Sequence, residues 1–548
     1  MKNNYLLALL SAFLLCIAWP PIPYTAPILL FALVPLLIAV ENLLRQDTGR
    51  RAKHVFRVCF FAFILWNIAS VFWVFNSLNA IISTWIAAIL VLIPYSLGPL
   101  LMALSFRIYY QLRLNTSKLI SYIGLICFWI GYEYLHQTWD LAFPWMNFGN
   151  GFAEFHQLIQ WYEFTGVYGG TLWVLLSNLL LFEVYQLLSD KAKTYTKQQK
   201  NRLLVGCVSV IFFPIIVSTI IYYNYKEEAN PSNIVVVQPN IDPYFKYGSL
   251  TPEAQIETCI RLSKSVAQPN TEYFIWPETA ITGFVKEDNF INESHFYMLR
   301  GFLAPYKNGN ILSGIESFQT YDKQKTTSAS FDDRSKVYYD NFNAAVQVEN
   351  SSKVQFYHKS KLVPGAEQIP FGEALAFLKP IFAGFGGASG TYGKQDKPSV
   401  FYSQSGIGAA PVICFESIWG EYVGDYVKQG AQFIAIITND GWWGNTSGKD
   451  QNLLYSKLRA IENRRWVARS ANTGISAFIN QRGDIVQKTK WWVPTALKAD
   501  INLNTKLTFY TRNGDYIAKA AVIGCAVFML ILLAGVLSVK LKAQSAKL

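Results

Sequence analysis

Three residues of the chain have side chains suited to nucleophilic catalysis. Glu278, Lys359 and Cys414 each follow a short apolar run of the kind that forms a buried strand. A cysteine supplies a nucleophile, and a carboxylate and an ammonium group supply a base and a cation beside it. Each residue alone also has a structural explanation, as a buried thiol, a turn glutamate or a solvated lysine. Their shared position at strand ends favours one catalytic site that contains all three.

Strand and helix patterns alternate around these residues. Runs rich in β-branched and aromatic residues predict strands at 234–237, 273–276, 311–315, 342–348, 354–357, 433–437, 475–479 and 485–487. Helical spacing predicts a helix over 251–267 and a basic amphipathic helix over 455–469. Strands that alternate with helices are typical of an α/β layered domain.

The composition indicates a membrane protein with one large soluble region. Of 548 residues, 52% are hydrophobic, which is too many for a single soluble domain. Eight stretches approach the roughly 20 apolar residues that cross a bilayer. They are 5–20, 26–44, 54–76, 82–106, 117–137, 165–188, 203–224 and 516–539. We therefore predict seven spans in 1–224, a soluble catalytic domain in 225–515, and an eighth span with a cytoplasmic tail in 516–548.

The basic residues predict the orientation of the spans. The soluble region holds 30 basic and 28 acidic residues, and the remainder holds 18 basic and 8 acidic ones. Of those 18, all but Lys519 fall on one side of the predicted membrane, which places both termini in the cytoplasm and 225–515 outside it. The soluble region has no basic surplus of its own, which argues against nucleic-acid binding. The first stretch resembles a signal peptide but has no A-x-A site, so we interpret it as a span.

The cysteines predict a single reactive thiol. Of seven cysteines, only Cys259 and Cys414 lie in the soluble region. Cys259 falls on the apolar face of the predicted helix 251–267, and we interpret it as core. No CxxC or histidine-rich spacing occurs, so neither a disulfide framework nor a metal site is predicted.

Two loops have two interpretations each. The aromatic loop 138–164, which has no lysine or arginine, is either an interfacial aromatic belt or a surface that holds lipid. The glycine-rich stretch 382–393 is either a flexible loop or a lid over the site. Its position between Lys359 and Cys414 favours the lid.

The order of the motifs resembles a known superfamily. Trp276-Pro277-Glu278, then Lys359 in Tyr-His-Lys-Ser-Lys-Leu-Val-Pro, then Cys414-Phe415-Glu416, then Asn439-Asp440-Gly-Trp-Trp-Gly are similar to the carbon–nitrogen hydrolase (nitrilase) superfamily. With its eight predicted spans, the whole chain resembles the membrane branch of that superfamily, the bacterial apolipoprotein N-acyltransferase family. The resemblance implies a multi-pass α-helical membrane bundle of eight spans joined to an α/β nitrilase-like αββα sandwich.

The resemblance also implies roles for particular residues. It assigns the catalytic triad to Glu278, Lys359 and Cys414. Further essential positions match Glu367, Glu416, Asn343, Trp442 and Tyr247. The family often has tryptophan at position 247, and tyrosine where this chain has Phe415. The second essential glutamate is either Glu367 or Glu373, and we prefer Glu367 because it keeps the usual spacing from Lys359.

The function implied by the resemblance is acyl transfer between membrane lipids. An acyl chain passes from a phospholipid, with phosphatidylethanolamine as the expected donor, to a thioester at Cys414. It then passes to the N-terminal α-amine of the diacylglyceryl-cysteine of an apolipoprotein. Glu278 is the general base and Lys359 stabilises the oxyanion. No cofactor is expected, and the location is the bacterial inner membrane with the catalytic domain in the periplasm. The alternative is a membrane-anchored amidase, and a transporter is disfavoured because the spans hold few charges.

Overall fold

The computed structural model describes residues 2–45, 51–80, 82–189, 196–372 and 392–545. The α-helices in these ranges are α1 Lys2–Ile17, α2 Val34–Arg45, α3 Arg51–Val71, α4 Trp73–Asn79, α5 Thr84–Leu90, α6 Leu92–Asn115, α7 Lys118–Leu135, α8 Tyr162–Ser189, α9 Lys197–Asn224, α10 Lys246–Ser249, α11 Pro252–Val266, α12 Ser294–Leu303, α13 Gly420–Lys428, α14 Ser447–Asn463, α15 Phe509–Asn513 and α16 Tyr516–Ser545.

The strands are β1 Pro231–Gln238, β2 Thr271–Ile275, β3 Ile281–Lys286, β4 Asn310–Tyr321, β5 Ser330–Asp332, β6 Val337–Glu349, β7 Val354–His358, β8 Phe401–Tyr402, β9 Gly408–Ile413, β10 Phe433–Thr438, β11 Val467–Ala471, β12 Ala477–Ile479, β13 Ile485–Lys488 and β14 Thr495–Asn502. They form two sheets. The first has the order β14-β1-β2-β4-β6-β5, with β3 beside β4 and β7 beside β6. The second has the order β13-β12-β11-β10-β9-β8.

The chain forms two compact units. The helical unit comprises Met1–Phe72, Ile89–Tyr223 and Asp515–Leu548, and the sheet unit comprises Trp73–Ala88 and Asn224–Gly514. The sheet unit thus includes α4 and most of α5, a short segment between two apolar helices of the first unit.

The sheet unit has four layers. The two sheets pack face to face where β1 meets β11, and there the Ser470 hydroxyl donates to the Val237 carbonyl (2.7 Å). The rings of Tyr273 and Phe433 also meet between the sheets, with centroids 5.1 Å apart. Helices α11 and α12 cover the first sheet, and α13 and α14 cover the second. This is the αββα order that the resemblance implied.

Most predicted elements of the sheet unit are present. Every predicted strand overlaps an observed one, and the pair β6 and β7 forms an antiparallel hairpin. Cys259 is fully buried in the core between α11 and the first sheet. The C-terminal boundary of the helix predicted over 455–469 is wrong. The helix α14 ends at Asn463, because Arg464 adopts a left-handed conformation (φ +48°). The remaining residues enter β11.

The helical unit accounts for the predicted spans in part. Among the described residues, six helical segments are long and apolar enough to cross a membrane: Ala26–Arg45, Arg51–Val71, Thr84–Asn115, Tyr162–Ser189, Lys197–Asn224 and Tyr516–Gly535. The two other predicted spans correspond to α1 and α7, which are helical but only 16 and 18 residues long. The count of eight spans therefore stays an expectation.

Part of the aromatic loop 138–164 is packed inside the helical unit, and both interpretations of the loop stay predictions. Phe148 is fully buried and its ring stacks on Trp129 with centroids 4.7 Å apart. Glu133 in α7 is also fully buried, and it accepts hydrogen bonds from the Phe148 backbone N–H (3.0 Å) and the Thr171 hydroxyl (2.8 Å). The carboxylate therefore ties the loop to two helices.

Candidate active site

The nucleophile turn follows directly from the end of β9. Small residues let β9 lie buried beside β10, and the strand ends at Ile413. Cys414 then takes a left-handed backbone conformation (φ +47°), which costs a non-glycine residue about 1–3 kcal/mol. The Ser417 hydroxyl donates to the Cys414 carbonyl (2.7 Å) and so helps to hold this turn. The thiol is thereby presented at a strand end, as the sequence predicts.

The glutamate turn follows β2 in the first sheet. The Gly314 N–H of β4 donates to the Pro277 carbonyl (3.1 Å), which fixes the turn against the neighbouring strand. A Cβ at position 314 would lie 2.6 Å from the Glu278 Cα, so only glycine permits this approach. Glu278 is 6% exposed.

The lysine extends from the end of β7. Its backbone N–H donates to the Asn343 carbonyl of β6 (2.9 Å), which continues the ladder of the hairpin by one residue. The Lys359 side chain is 1% exposed. The pairing register of β6 and β7 therefore places Asn343 beside Lys359.

Four side chains meet at this point. The Lys359 Nζ donates to Glu278 Oε1 (3.0 Å) and to Glu367 Oε1 (2.8 Å). The Asn343 Nδ2 donates to the same two oxygens, at 2.8 and 2.7 Å. One ammonium and one amide therefore bridge two buried carboxylates.

Glu367 reaches the cluster from a loop. Its other oxygen accepts from the Val363 backbone N–H (2.8 Å), which fixes the carboxylate toward Lys359. Glu373 and positions 382–391 of the glycine-rich stretch lie outside the described residues. Contact with Lys359 and Asn343 supports Glu367 as the second essential glutamate, and that assignment remains a proposal.

The Cys414 thiol is protonated in this environment. Burial raises its pKa, the Glu278 charge raises it further, and Lys359 opposes both. The net pKa is well above the ordinary value, so the nucleophile must be deprotonated as it reacts.

Lys359 keeps its charge although it is buried. Burial alone lowers the pKa of a lysine, but the charges of Glu278 and Glu367 outweigh it. The pKa of Lys359 is therefore held well above its usual range. A permanently charged donor at this position suits the stabilisation of an oxyanion.

Glu416 connects the nucleophile turn to the lysine turn. One carboxylate oxygen accepts from the Ile413 N–H (2.9 Å), just before the nucleophile, and the other from the Ser360 N–H (2.7 Å), just after Lys359. The Tyr357 hydroxyl donates to the second oxygen as well (2.5 Å). Burial raises the pKa of Glu416 to about 7, against the effect of these donors. Glu416 sets the spacing between thiol and ammonium.

A buried ion pair supports the site from the second sheet. Asp440 accepts from Arg469 Nη2 (2.7 Å), Asn452 Nδ2 (3.0 Å) and the Thr438 hydroxyl. Asp440 and Arg469 are both fully buried. The sequence predicts a basic amphipathic helix over 455–469, but the arginines of this stretch are buried. Arg459 and Arg469 pair with carboxylates, and Arg465 donates to backbone carbonyls.

Of the outer predicted residues, Trp442 contacts Tyr244, a residue that the sequence did not single out. The Tyr244 hydroxyl donates to the Trp442 carbonyl (3.0 Å), and their rings meet edge to face at 5.3 Å. Trp443 packs on Trp73 (5.1 Å), a residue that the sequence assigned to a span. The side chain of Tyr247 lies outside the described part, although its backbone belongs to α10. Sequence patterns gave no signal for Trp73, because nothing local distinguishes it from an interfacial tryptophan.

No group of three or more histidine, cysteine, aspartate or glutamate side chains in the described ranges is arranged to hold a metal ion. The cluster that is present consists of a thiol, two carboxylates, an ammonium and an amide. Such a set can perform acyl transfer with proton movement between Cys414 and Glu278.

Two family models match the chain. Residues 233–506 match the model described as carbon-nitrogen hydrolase, and residues 11–180 match the apolipoprotein N-acyltransferase N-terminal domain. Together they account for most of both units.

Named relatives match along nearly the whole length. Over 530 residues the chain is 29% identical to the apolipoprotein N-acyltransferase of Chlorobaculum tepidum, covering 94% of each chain. It is 28% identical over 505 residues to that of Borreliella burgdorferi, covering 88% of this chain and 86% of the other.

Solved structures match the sheet unit at low identity. A mutant of the Nesterenkonia AN1 amidase, from the nitrilase superfamily, has a TM-score of 0.36 at 14% identity, covering 54% of this chain and 97% of the amidase. Saccharomyces cerevisiae Nit3 has a TM-score of 0.35 at 15% identity, covering 51% of this chain and 92% of Nit3.

Proposed function

Because the chain belongs to the carbon–nitrogen hydrolase family and carries the apolipoprotein N-acyltransferase N-terminal domain, we propose that it is a lipoprotein N-acyltransferase. It transfers an acyl chain from a phospholipid to the N-terminal α-amine of an apolipoprotein. The observation that carries the mechanism is the buried Lys359, bridged to Glu278 and Glu367 beside Cys414.

The first half-reaction forms a thioester. Glu278 takes the proton from the Cys414 thiol as the sulfur attacks the ester carbonyl of the phospholipid. The tetrahedral oxyanion is stabilised by the Lys359 ammonium, and one such donor typically contributes about 3–4 kcal/mol. When the intermediate collapses, the carbon–oxygen bond breaks and Glu278 returns the proton to the departing lysophospholipid. The acyl chain remains on sulfur.

The second half-reaction forms the amide. The neutral α-amine of the diacylglyceryl-cysteine attacks the thioester, and Glu278 accepts a proton from the amine. Lys359 again stabilises the oxyanion. The carbon–sulfur bond then breaks and the thiolate of Cys414 regains a proton. An α-amine has a pKa of about 7.7–8.0, so a large fraction is neutral at physiological pH.

The membrane setting follows from the helical unit. We propose eight spans with both termini in the cytoplasm and 225–515 in the periplasm, in the bacterial inner membrane. The 17 basic residues that share one side support this orientation. Both substrates are anchored in lipid, so a catalytic unit attached to several apolar helices suits them. We propose phosphatidylethanolamine as the donor, and no cofactor takes part.

Mass spectrometry of the intact protein tests the covalent step. Purified protein is incubated with phosphatidylethanolamine vesicles and no acceptor. We expect a gain of one acyl chain on Cys414, and its loss on addition of neutral hydroxylamine or a diacylglyceryl peptide, because thioesters are labile to amines. Cys414→Ala is the control and should gain no mass.

The outcomes separate the candidate functions. Acyl mass that transfers to the diacylglyceryl peptide supports the acyltransferase. Hydrolysis of a small amide with no acyl transfer would support the membrane-anchored amidase instead. Acyl transfer at the normal rate in Cys414→Ala would refute the covalent mechanism.

A further inference from the structure

A second buried lysine, Lys246, contacts the turn that carries the catalytic glutamate. Lys246 opens the short helix α10 and is 2% exposed. Its Nζ donates to both oxygens of Thr279, the backbone carbonyl and the side-chain hydroxyl, the latter at 2.6 Å. Thr279 directly follows Glu278. The lysine therefore binds the turn that carries the proposed base.

The turn needs such support. Thr279 has a left-handed backbone (φ +49°), which costs a non-glycine residue about 1–3 kcal/mol. On one side the turn abuts Gly314, where an added Cβ would lie 2.4 Å from the Thr279 nitrogen. Contact with β4 and the two lysine bonds together fix the turn. A charged donor makes hydrogen bonds about twice as strong as a neutral one.

Charged groups surround Lys246 from every side that packs on it. Burial lowers its pKa to about 8, while Glu316 of β4, Glu278 and Cys259 of α11 act in the opposite direction. Gln255 of α11 donates to the Lys246 carbonyl (3.1 Å) and holds its backbone. An interior ammonium is expensive to bury, so its presence calls for a role beyond packing.

We propose that Lys246 is a positioning residue for acyl transfer, which holds the Glu278 carboxylate at the place from which it reaches Cys414. The proposal rests on the function proposed above. Lys246 touches neither substrate nor the sulfur, and acts through Thr279. It should therefore affect the rate of proton transfer and not the affinity for phospholipid.

The charge of Lys246 predicts a pH effect. As pH rises through about 8, the ammonium loses its proton and its bonds to Thr279 weaken. Thioester formation should then decline above pH 8. In Lys246→Arg the guanidinium stays charged, so the decline should move to higher pH. A lysine with only a packing role would give the same pH profile in both proteins.

The experiment measures single-turnover thioester formation in the full-length protein between pH 6 and 10. Lys246→Met should slow it about 10²-fold with the half-saturating phosphatidylethanolamine concentration unchanged. Lys264→Met, on the exposed face of α11, is the matched control and should match the parent protein. Thr279→Val keeps the side-chain shape and the carbonyl but loses the hydroxyl, and should slow the step about tenfold.

The results distinguish the two proposals. If the parent protein forms no thioester, the proposed function fails. If it does, and folded Lys246→Met reacts at the parent rate, the positioning role is wrong. If Lys246→Met does not fold, the other two variants decide. A rate of thioester formation in Thr279→Val equal to that of the parent protein, together with an unshifted pH profile in Lys246→Arg, would overturn the positioning role.

Discussion

Replacement of Lys359 by methionine is the most informative test of the site. Methionine has nearly the length of lysine but no charge and no donor. The change removes the proposed oxyanion stabiliser and also the cation between Glu278 and Glu367. We therefore expect separate losses in catalysis and in stability.

The magnitudes follow from the contacts. Loss of one oxyanion donor reduces turnover about 10²–10³-fold. Removal of one partner from a buried ion pair costs about 3–5 kcal/mol of folding free energy. The carboxylates are only 7% and 13% exposed, so water screens them little. Asn343 continues to donate to both carboxylates after the substitution. We therefore expect a loss of folding free energy at the lower end of this range, about 3 kcal/mol.

The assay is single-turnover thioester formation, with thermal unfolding measured in the same detergent. Lys361→Met is the matched control, because that half-buried lysine lies over the Tyr422 ring and outside the cluster. The double variant Lys359→Met with Glu367→Gln removes one unpaired charge, and should regain stability but not activity. Equal activity in Lys359→Met and Lys361→Met would refute the role of Lys359. Recovery of activity in the double variant Lys359→Met with Glu367→Gln would refute it as well.

Three further predictions follow from the same contacts. Glu367→Gln removes a negative charge that Lys359 now neutralises, so iodoacetamide should alkylate Cys414 faster at pH 7; an unchanged rate would contradict the charge assignment. Since burial raises the pKa of Glu416 to about 7, folding stability should fall by about 3 kcal/mol between pH 4.5 and 7, and Glu416→Gln should lose this dependence in pH-resolved melting curves. A reporter that is active only in the periplasm should work when inserted at Ser352 and stay silent at Lys197, and the reverse pattern would overturn the orientation.

The strands and the ends that carry the site were predictable from sequence. Runs of β-branched and aromatic residues locate β1, β2 and β10 within a few residues, because a buried strand leaves a continuous apolar signal. Glu278, Lys359 and Cys414 follow such runs directly. Their convergence joins two sheets, because Glu278 and Lys359 follow strands of the first sheet and Cys414 follows a strand of the second, and it was implied by the resemblance rather than by the strand patterns.

Contacts made through loops and buried charges were not predictable. Glu367 reaches Lys359 from a loop that is held by local backbone hydrogen bonds around Val363, which no strand or helix pattern marks. Lys246 is buried against the ordinary preference of lysine for solvent, and no periodicity marks it. The helix predicted to reach position 469 ends early because Arg464 is left-handed, and Arg469 is buried in an ion pair with Asp440.

The charges of the cluster explain why the thiol is protonated at rest. Glu278 and Glu367 carry two negative charges and Lys359 one positive charge, so ionisation of Cys414 would add a second net negative charge in a buried site. When the sulfur attacks an ester, its proton neutralises Glu278 while the new charge appears on the carbonyl oxygen. The net charge then stays at minus one, and Lys359 exchanges one of its carboxylate partners for the oxyanion. Deprotonation is therefore coupled to bond formation.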